Sequence, residues 1–169
     1  MNASPPWFAG VGTALTAQDR ADAAAILHAR GVPAGTGAIV VVSWRAAADW
    51  TEDPALAECW DDDEEEREVL WGRVAAQIGE AALLAQLTAA TTEAASHVRV
   101  AAQTAAHAHA TMETEVIAIA AASALLALHQ YRLAQLAGVA PDHPFLLKYA
   151  LFTRGRWALG YRGGTYGIY

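Results

Sequence analysis

Apolar residues recur at helical spacing over most of this chain, and the clearest stripe opens its central part. The stripe follows steps of mostly three or four residues and consists of Val69, Leu70, Val74, Ile78, Ala81, Ala82 and Ala85. Such a pattern is typical of an amphipathic helix that buries one face. Because Asp61 and Glu64 resemble a capping box, we predict that the main helical block begins at Asp61.

The next segment, residues 80–137, runs for 58 residues without a glycine or proline. As a single helix it would be about 87 Å long, several times the diameter of a small domain, so we expect it to break. β-Branched and polar residues cluster at Thr88–Thr92 and at Thr111–Thr114, and we place the breaks there. The predicted helices cover residues 63–88, 92–110 and 112–137, with one continuous helix across the second break as the alternative.

Shorter elements precede this block. Residues 1–15 form an extended lead, and Thr16 is a plausible N-cap for a helix from Ala17 to Arg30 that ends before Gly31. Segment 38–50 is ambiguous, since its β-branched start favours a strand and its continuation has helical composition. We favour a buried helix over residues 37–50 because no partner strand lies nearby in sequence. Residues 54–59 then form a short helix that starts with proline.

The C-terminus carries the strongest turn signal. After a short helix capped by Asp142 and closed by Gly155, the pair Gly163-Gly164 separates two strand-like runs. Pairing Arg162 with Thr165 predicts a hairpin with Leu159 opposite Ile168. One face then holds Trp157, Leu159, Tyr161, Tyr166 and Ile168 and must dock on the helices or on a partner. We therefore predict one mainly α domain over residues 1–169, an alanine-rich bundle of four to six helices with a short C-terminal β-hairpin at 155–169.

Composition changes this picture little. The mean hydropathy of +0.18 overstates the apolar character, because 42 of the 169 residues are alanine. The longest apolar run, residues 116–128 apart from Ser123, is 13 residues long, short of the roughly 20 that span a bilayer. The first twelve residues contain no basic residue, and the only cysteine, Cys59, has no partner for an internal disulfide. We expect a cytoplasmic protein, and the alanine and arginine excess suggests a GC-rich bacterial genome.

Charge is distributed unevenly along the chain. Residues 49–68 hold eleven acids against Arg67, a local net of −10, whereas residues 132–169 sum to +4. This acidic collar and basic tail could pair within one subunit or between neighbours, or they could be solvated helix ends. Since the total charge is −7, no nucleic-acid partner is expected.

Two pairs of helical residues are the only candidate metal ligands that the pattern offers. Glu93 with His97, and His109 with Glu113, are four residues apart and project from one helix face each. Helix bundles use such pairs to bind metals, although the Glu-x-x-His spacing of di-iron proteins is absent. A metal-binding helical enzyme is therefore the alternative function, and no other cofactor is expected.

Other reactive groups give weaker signals. Cys59 lies between acids, which raise the pKa of a thiol and disfavour a nucleophile. Lys148, Arg154 and Arg156 could hold an anion at the base of the hairpin or could simply neutralise the acidic collar. His129 lies among leucines, as a core histidine would.

The low charge density of the helical block suggests a surface built to be packed against. Between residues 69 and 131 only six residues are charged. We predict a non-catalytic interaction protein, an accessory subunit, adaptor or regulator of a bacterial multiprotein system, whose partner is another protein or a second copy. Membrane-surface association through residues 116–128 is a weaker hypothesis and is not expected. The candidate interaction residues are aromatic or basic, namely Trp60, Trp71, Trp157, Tyr161, Tyr166, Arg154 and Arg156.

Overall fold

A computed structural model describes residues 5–33, 38–41, 43–110, 113–162 and 164–169. The elements are α1 (Ala17–Ala29), β1 (Ala38–Val40), α2 (Trp44–Thr51), a 3-10 turn (Pro54–Leu56), α3 (Ala57–Ile78), α4 (Glu80–Ala108), α5 (Thr114–Ala137), α6 (Pro144–Thr153), β2 (Ala158–Arg162) and β3 (Thr165–Ile168). The predicted class, a mainly α bundle with a C-terminal hairpin, is confirmed.

Helix α1 begins as the sequence predicts. The Thr16 hydroxyl accepts a hydrogen bond from the Asp19 amide at 3.1 Å, and the Asp19 carboxylate accepts one from the Thr16 amide at 2.9 Å. This reciprocal capping box satisfies two of the free amides of the first turn. Gly31, with φ of 77°, follows the end of the helix.

The first break in the long helical block lies at Gly79, and the predicted break at Thr88–Thr92 is wrong. Gly79 has φ of 84°, which lets α3 end at Ile78 and α4 begin at Glu80. The threonines lie inside α4, where the Thr91 hydroxyl is satisfied by donating to the Leu87 carbonyl at 3.1 Å. The second break separates the helices as predicted, since α4 ends at Ala108 and α5 begins at Thr114; Thr111 and Met112 lie outside the described residues.

Two other helix starts differ from the prediction. The 3-10 turn runs directly into α3 at Ala57, so Asp61 and Glu64 lie inside the helix and do not cap it. At α6 the cap is His143, whose Nδ1 accepts from the Phe145 amide at 3.2 Å, and not Asp142.

Helix α5 is the central element of the bundle. It packs against α2, α3, α4 and α6, with α4 as its largest neighbour. Among the described residues it is the one helix that length and composition would allow to cross a membrane. Core helices pass the same test, so this property is weak evidence for a membrane span.

The three strands form one sheet in the order β1-β3-β2. β1 pairs in parallel with β3, matching Ala38 with Tyr166 and Val40 with Ile168. The expectation of a helix over residues 37–50 is therefore wrong for Ala38–Val40, while helix α2 covers the second part; residues 37 and 42 lie outside the described part of the chain. The partner strand was missed because it lies at the opposite end of the sequence.

The hairpin register is confirmed except at its open end. Arg162 faces Thr165, Tyr161 faces Tyr166 and Gly160 faces Gly167, as predicted. A β-bulge then shifts the register, so that Ala158 and not Leu159 pairs with Ile168. Gly160, with φ of 100°, provides the backbone conformation for this irregularity.

Both faces of the hairpin are buried against the helices. Trp157 packs on Trp44 with ring centroids 5.1 Å apart, and Phe8 and Tyr169 complete this aromatic cluster. A second, smaller core lies where α3, α4, α5 and α6 meet, around Leu70, Leu87 and Phe145. The sheet therefore fixes the N-terminal lead and α2 on one end of the bundle.

A candidate docking groove between α3 and α5

A groove of about 810 Å³ separates the first half of α3 from α5. The end of α2 closes one side, while β2 and the Lys148 side chain of α6 contribute to its floor. Along α5 it follows one face, with Glu115, Ile119, Ala122, Leu126 and Gln130 in steps of three or four residues. These five positions span about 22 Å at 1.5 Å per residue.

The apolar part of the groove contains two large exposed side chains. Trp60 is 55% exposed and Leu126 is 48% exposed, which is unusual for residues that line one concavity. Cys59 precedes Trp60 and turns inward to the core, where it is 4% exposed, so the helix directs the indole outward. Ile119, Ala158 and Leu159 extend the apolar surface.

Asp63 is the centre of a largely covered ionic cluster at the floor, where its side chain is 14% exposed. Its carboxylate accepts from Lys148 Nζ at 2.8 Å, from Arg30 Nη2 at 2.9 Å and from Gln130 Nε2 at 3.3 Å. Burial alone would raise the pKa of Asp63, but the Lys148 ammonium and the Arg30 guanidinium outweigh it and hold that pKa below its usual value. The carboxylate is therefore ionised and only accepts hydrogen bonds.

This pairing fixes the orientation of the Gln130 amide. Because Asp63 only accepts, the Gln130 nitrogen must face it, and the carbonyl oxygen Oε1 points away. Gln130 is 2% exposed, and Oε1 has no hydrogen-bond partner within the described residues. A buried acceptor without a donor costs roughly 1–3 kcal/mol. Gln130, which lines the groove, therefore has a carbonyl oxygen that can accept a further hydrogen bond.

The rim of the groove is acidic. Glu52, Asp61 and Glu115 are exposed and make no salt bridge within the part of the chain that the structure describes. Glu64 pairs with Arg67, one turn further along α3, and this contact lowers the pKa of Glu64. With Asp63, five carboxylates line the groove against one ammonium, that of Lys148.

Other carboxylates of the acidic collar pair with the C-terminal residues inside the chain, at the floor of the groove and beyond it. Lys148 binds Asp63, Arg162 binds Asp53, and the Tyr161 hydroxyl donates to Asp62. The groove carboxylates Glu52 and Asp61 belong to the same collar, yet no cation of the tail binds them within the described residues. Part of the negative charge of the collar thus lies at this groove without a pairing cation from the tail.

Most candidate interaction residues from the sequence analysis lie in the interior. Trp157, Tyr161 and Tyr166 are core residues packed within the chain. Arg154 binds Asp19 at 2.7 Å and Asp22 at 2.5 Å, and Arg156 binds Asp19 at 3.0 Å, so neither cation is left for an anion. Trp71 packs partly exposed on the second core. Of the set, Trp60 alone lines the groove.

The candidate metal ligands are not brought together. Glu93, His97 and His109 follow one continuous helix and its cap, and twelve residues place His109 about 18 Å from His97 along the axis. Glu113 binds Arg45 at 2.6 Å, and the His109 ring lies 5.9 Å from that of Tyr169. Within the described residues, no group of three or more His, Cys, Asp or Glu side chains could hold a metal ion.

Glu93 and His97 instead line a second groove, of about 990 Å³, between α4, α5 and α6. The Tyr131 and Tyr149 rings stack at 4.1 Å on its wall, and Arg132 lies at its edge. The two rings stack on each other, so the faces that they turn together are not available to a ligand.

Sequence reasoning named Trp60 but missed the rest of the first groove. The sequence did contain one signal for this groove, the polar residue Gln130 on the otherwise apolar buried face of α5. Leu126 gave none, because an exposed leucine on α5 cannot be told from a buried one by sequence alone. Comparison with protein-family models, curated proteins and solved structures finds no match to this chain.

Proposed function

We propose that this chain is a non-catalytic interaction protein, an accessory subunit or adaptor, which receives a segment of a partner protein in the groove between α3 and α5. The observation that carries the proposal is the exposure of Trp60 beside Leu126 on a concave surface. Removing apolar surface from water contributes about 25 cal/mol per Å², and the part that exceeds the entropy lost on association appears as affinity. Tryptophan is also among the residues most enriched at the energetic centres of interfaces.

The dimensions of the groove favour a polypeptide as its occupant. Its α5 wall presents one face over about 22 Å, which is four helical turns. Helices that bind in grooves insert anchors at the same three- and four-residue spacing. Trp60 and Ile119 offer apolar contacts of this kind on opposing walls.

Affinity purification from the cells that encode the chain tests the proposal. The wild type and Trp60→Ala are compared with Val100→Ala, which removes a side chain that is 60% exposed on α4, away from the groove. We expect a partner protein that is retained by the wild type and by Val100→Ala and is lost with Trp60→Ala. Light scattering shows whether the partner is a second copy. A partner that binds Trp60→Ala as well as the wild type would refute the groove as the docking site.

A further inference from the structure

We infer that the segment bound in this groove is a cationic amphipathic helix, which lays apolar side chains on Trp60 and Leu126 and brings an arginine or lysine to the Gln130 end. This inference rests on the proposed function and adds the chemistry of the partner. Two independent observations lead to it, the uncompensated charge of the rim and the unpartnered acceptor at the floor.

The negative charge of the rim favours a positively charged partner segment. Glu52, Asp61 and Glu115 surround the apolar surface and have no salt-bridge partner among the described residues. A neutral or acidic segment would bring these carboxylates into a medium of lower dielectric constant without compensation. A segment with basic residues beside its apolar face would pair with them instead.

The floor of the groove contains an acceptor, Gln130 Oε1, that lacks a hydrogen-bond donor among the described residues. Gln130 Oε1 accepts no hydrogen bond from the described residues, and the contact of its nitrogen with Asp63 prevents the amide from rotating to exchange the two atoms. Arginine and lysine side chains donate and do not accept. Because Oε1 is covered in the free chain, a donor reaches it only after the side chains that cover it move.

Lys148 does not oppose a second cation at this end. Its ammonium lies 2.8 Å from the Asp63 carboxylate, and the Arg30 guanidinium that shares this carboxylate also lies 3.7 Å from Glu66, so two carboxylates balance the two cations. The indole of Trp60 adds a favourable contact, because an exposed aromatic face attracts a guanidinium or ammonium group. The apolar stem of a long basic side chain also fits the surface formed by Ile119 and Leu159.

Two fluorescein-labelled 14-residue peptides test the inference. Both carry leucine at helical three- and four-residue spacing. All the remaining positions are arginine in one peptide and glutamate in the other. We expect the arginine peptide to bind at least tenfold more tightly than the glutamate peptide at 0.15 M salt and to weaken as salt is added. Binding must also move the Trp60 indole ¹H–¹⁵N signal, which is identified as the one lost in Trp60→Phe.

A matched pair of triple variants separates the groove from general attraction to an acidic protein. Glu52→Gln/Asp61→Asn/Glu115→Gln removes three charges from the rim, and Glu58→Gln/Glu65→Gln/Glu68→Gln removes three exposed charges of α3 that do not line the groove. We expect the first to weaken the arginine peptide at least fivefold and the second less than twofold. Gln130→Met, checked for an unchanged melting temperature, should weaken it about threefold or more.

The outcomes distinguish the two proposals. Equal binding of both peptides, or equal effects of the two triple variants, would overturn the cationic partner while Trp60-dependent capture of a protein still supports the interaction function. Arginine-peptide binding that leaves the Trp60 signal unmoved would also overturn it, because the charge would then act elsewhere. If the purified partner docks through an acidic or uncharged segment, the inference fails directly.

Discussion

Arg156 and Asp19, 137 residues apart in the sequence, share a hydrogen bond of 3.0 Å in the protein interior. Asp19 is fully buried, and Arg156 also donates to the Thr13 and Ala14 carbonyls at 3.1 and 2.7 Å. One side chain beside the hairpin thus holds both the N-terminal lead and the first turn of α1. Because all these acceptors are backbone or buried groups, the contact orders the lead and does not present a charge to solvent.

Arg156→Met is therefore expected to lower the free energy of unfolding by about 1–3 kcal/mol, because it takes the donor from the Thr13 and Ala14 carbonyls and leaves Asp19 paired with Arg154 alone. Urea denaturation at pH 7 measures the change. Arg45→Met is the matched control, because Arg45 also binds a carboxylate, Glu113 at 2.6 Å, but its side chain is 61% exposed. The control should cost less than about 1 kcal/mol. Equal losses in both variants would contradict the role assigned to Arg156.

The features that sequence predicted are local ones. The N-cap at Thr16 bonds to a residue three positions away, and the register of Tyr161 with Tyr166 follows from the pairing of Arg162 with Thr165; Gly163 of the predicted turn lies outside the described residues. β1 could not be assigned in the same way, because its stability comes from β3 at the other end of the chain. The break at Gly79 was within reach of sequence, since a single glycine beside a long helical block is a stop signal.

The residues of the candidate site divide in the same way, into those that the local sequence predicts and those that only the packing of the helices brings together. Trp60 was named because a tryptophan among acids is visible in sequence, whereas its exposure depends on where α3 begins. The floor of the groove joins Asp63 of α3, Gln130 of α5 and Lys148 of α6, three positions that only the packing of the bundle brings together. The aromatic residues of the hairpin were predicted to contact a partner protein, but the helices of the same chain cover them.

Acid should destabilise the fold through Asp63. Its pKa is below the ordinary value of about 3.9 because Lys148 and Arg30 outweigh the effect of burial. A depressed folded-state pKa contributes stability that is present above the unfolded pKa and is lost as pH falls through the folded value. We expect the free energy of unfolding to fall between about pH 5 and pH 2, and to fall less in Asp63→Asn. Urea denaturation across this range measures both.

Asp61→Asn serves as the control for this pH dependence. Asp61 is exposed two residues before Asp63 and makes no salt bridge within the described chain. Its variant should keep the wild-type pH profile. A profile flattened equally by both substitutions would mean that the general acidity of the collar, and not the buried pairing, determines the acid response.

Gly167 and Gly72 should respond to alanine in opposite directions. A Cβ at Gly167 would lie 2.6 Å from Cε2 of the buried Trp50 ring, and the Arg162 guanidinium stacks 3.7 Å from the centre of that ring. Overpacking of this kind costs roughly 1–3 kcal/mol. Gly72 lies inside α3, where a Cβ would meet no described atom within 4 Å, so Gly72→Ala should stabilise by about 0.5–1 kcal/mol. Thermal and urea denaturation of the two variants check the signs, and a stabilised Gly167→Ala would show that the sheet and α2 are not in close contact.

Cys59 should react only when the structure around it opens. Burial, followed by the nearby Asp63 charge, raises the pKa of the thiol to about 11. At pH 8 about one thiol in a thousand would be ionised, and the thiolate is the reactive form. We expect iodoacetamide to label the native protein far more slowly than the urea-unfolded chain, as mass spectrometry would show.

Gly160 packs closely on this thiol, because a Cβ there would lie 3.0 Å from the Cys59 sulfur, and its φ is 100°. Gly160→Ala should therefore speed labelling by loosening the hairpin over α3. Gly31→Ala is the control, since it has comparable backbone strain at φ of 77° but its Cβ would meet no described atom within 4 Å. At urea concentrations that give both variants equal stability, Gly160→Ala should still label faster. Equal rates would mean that Cys59 reacts only through global unfolding, and that the hairpin does not open by itself.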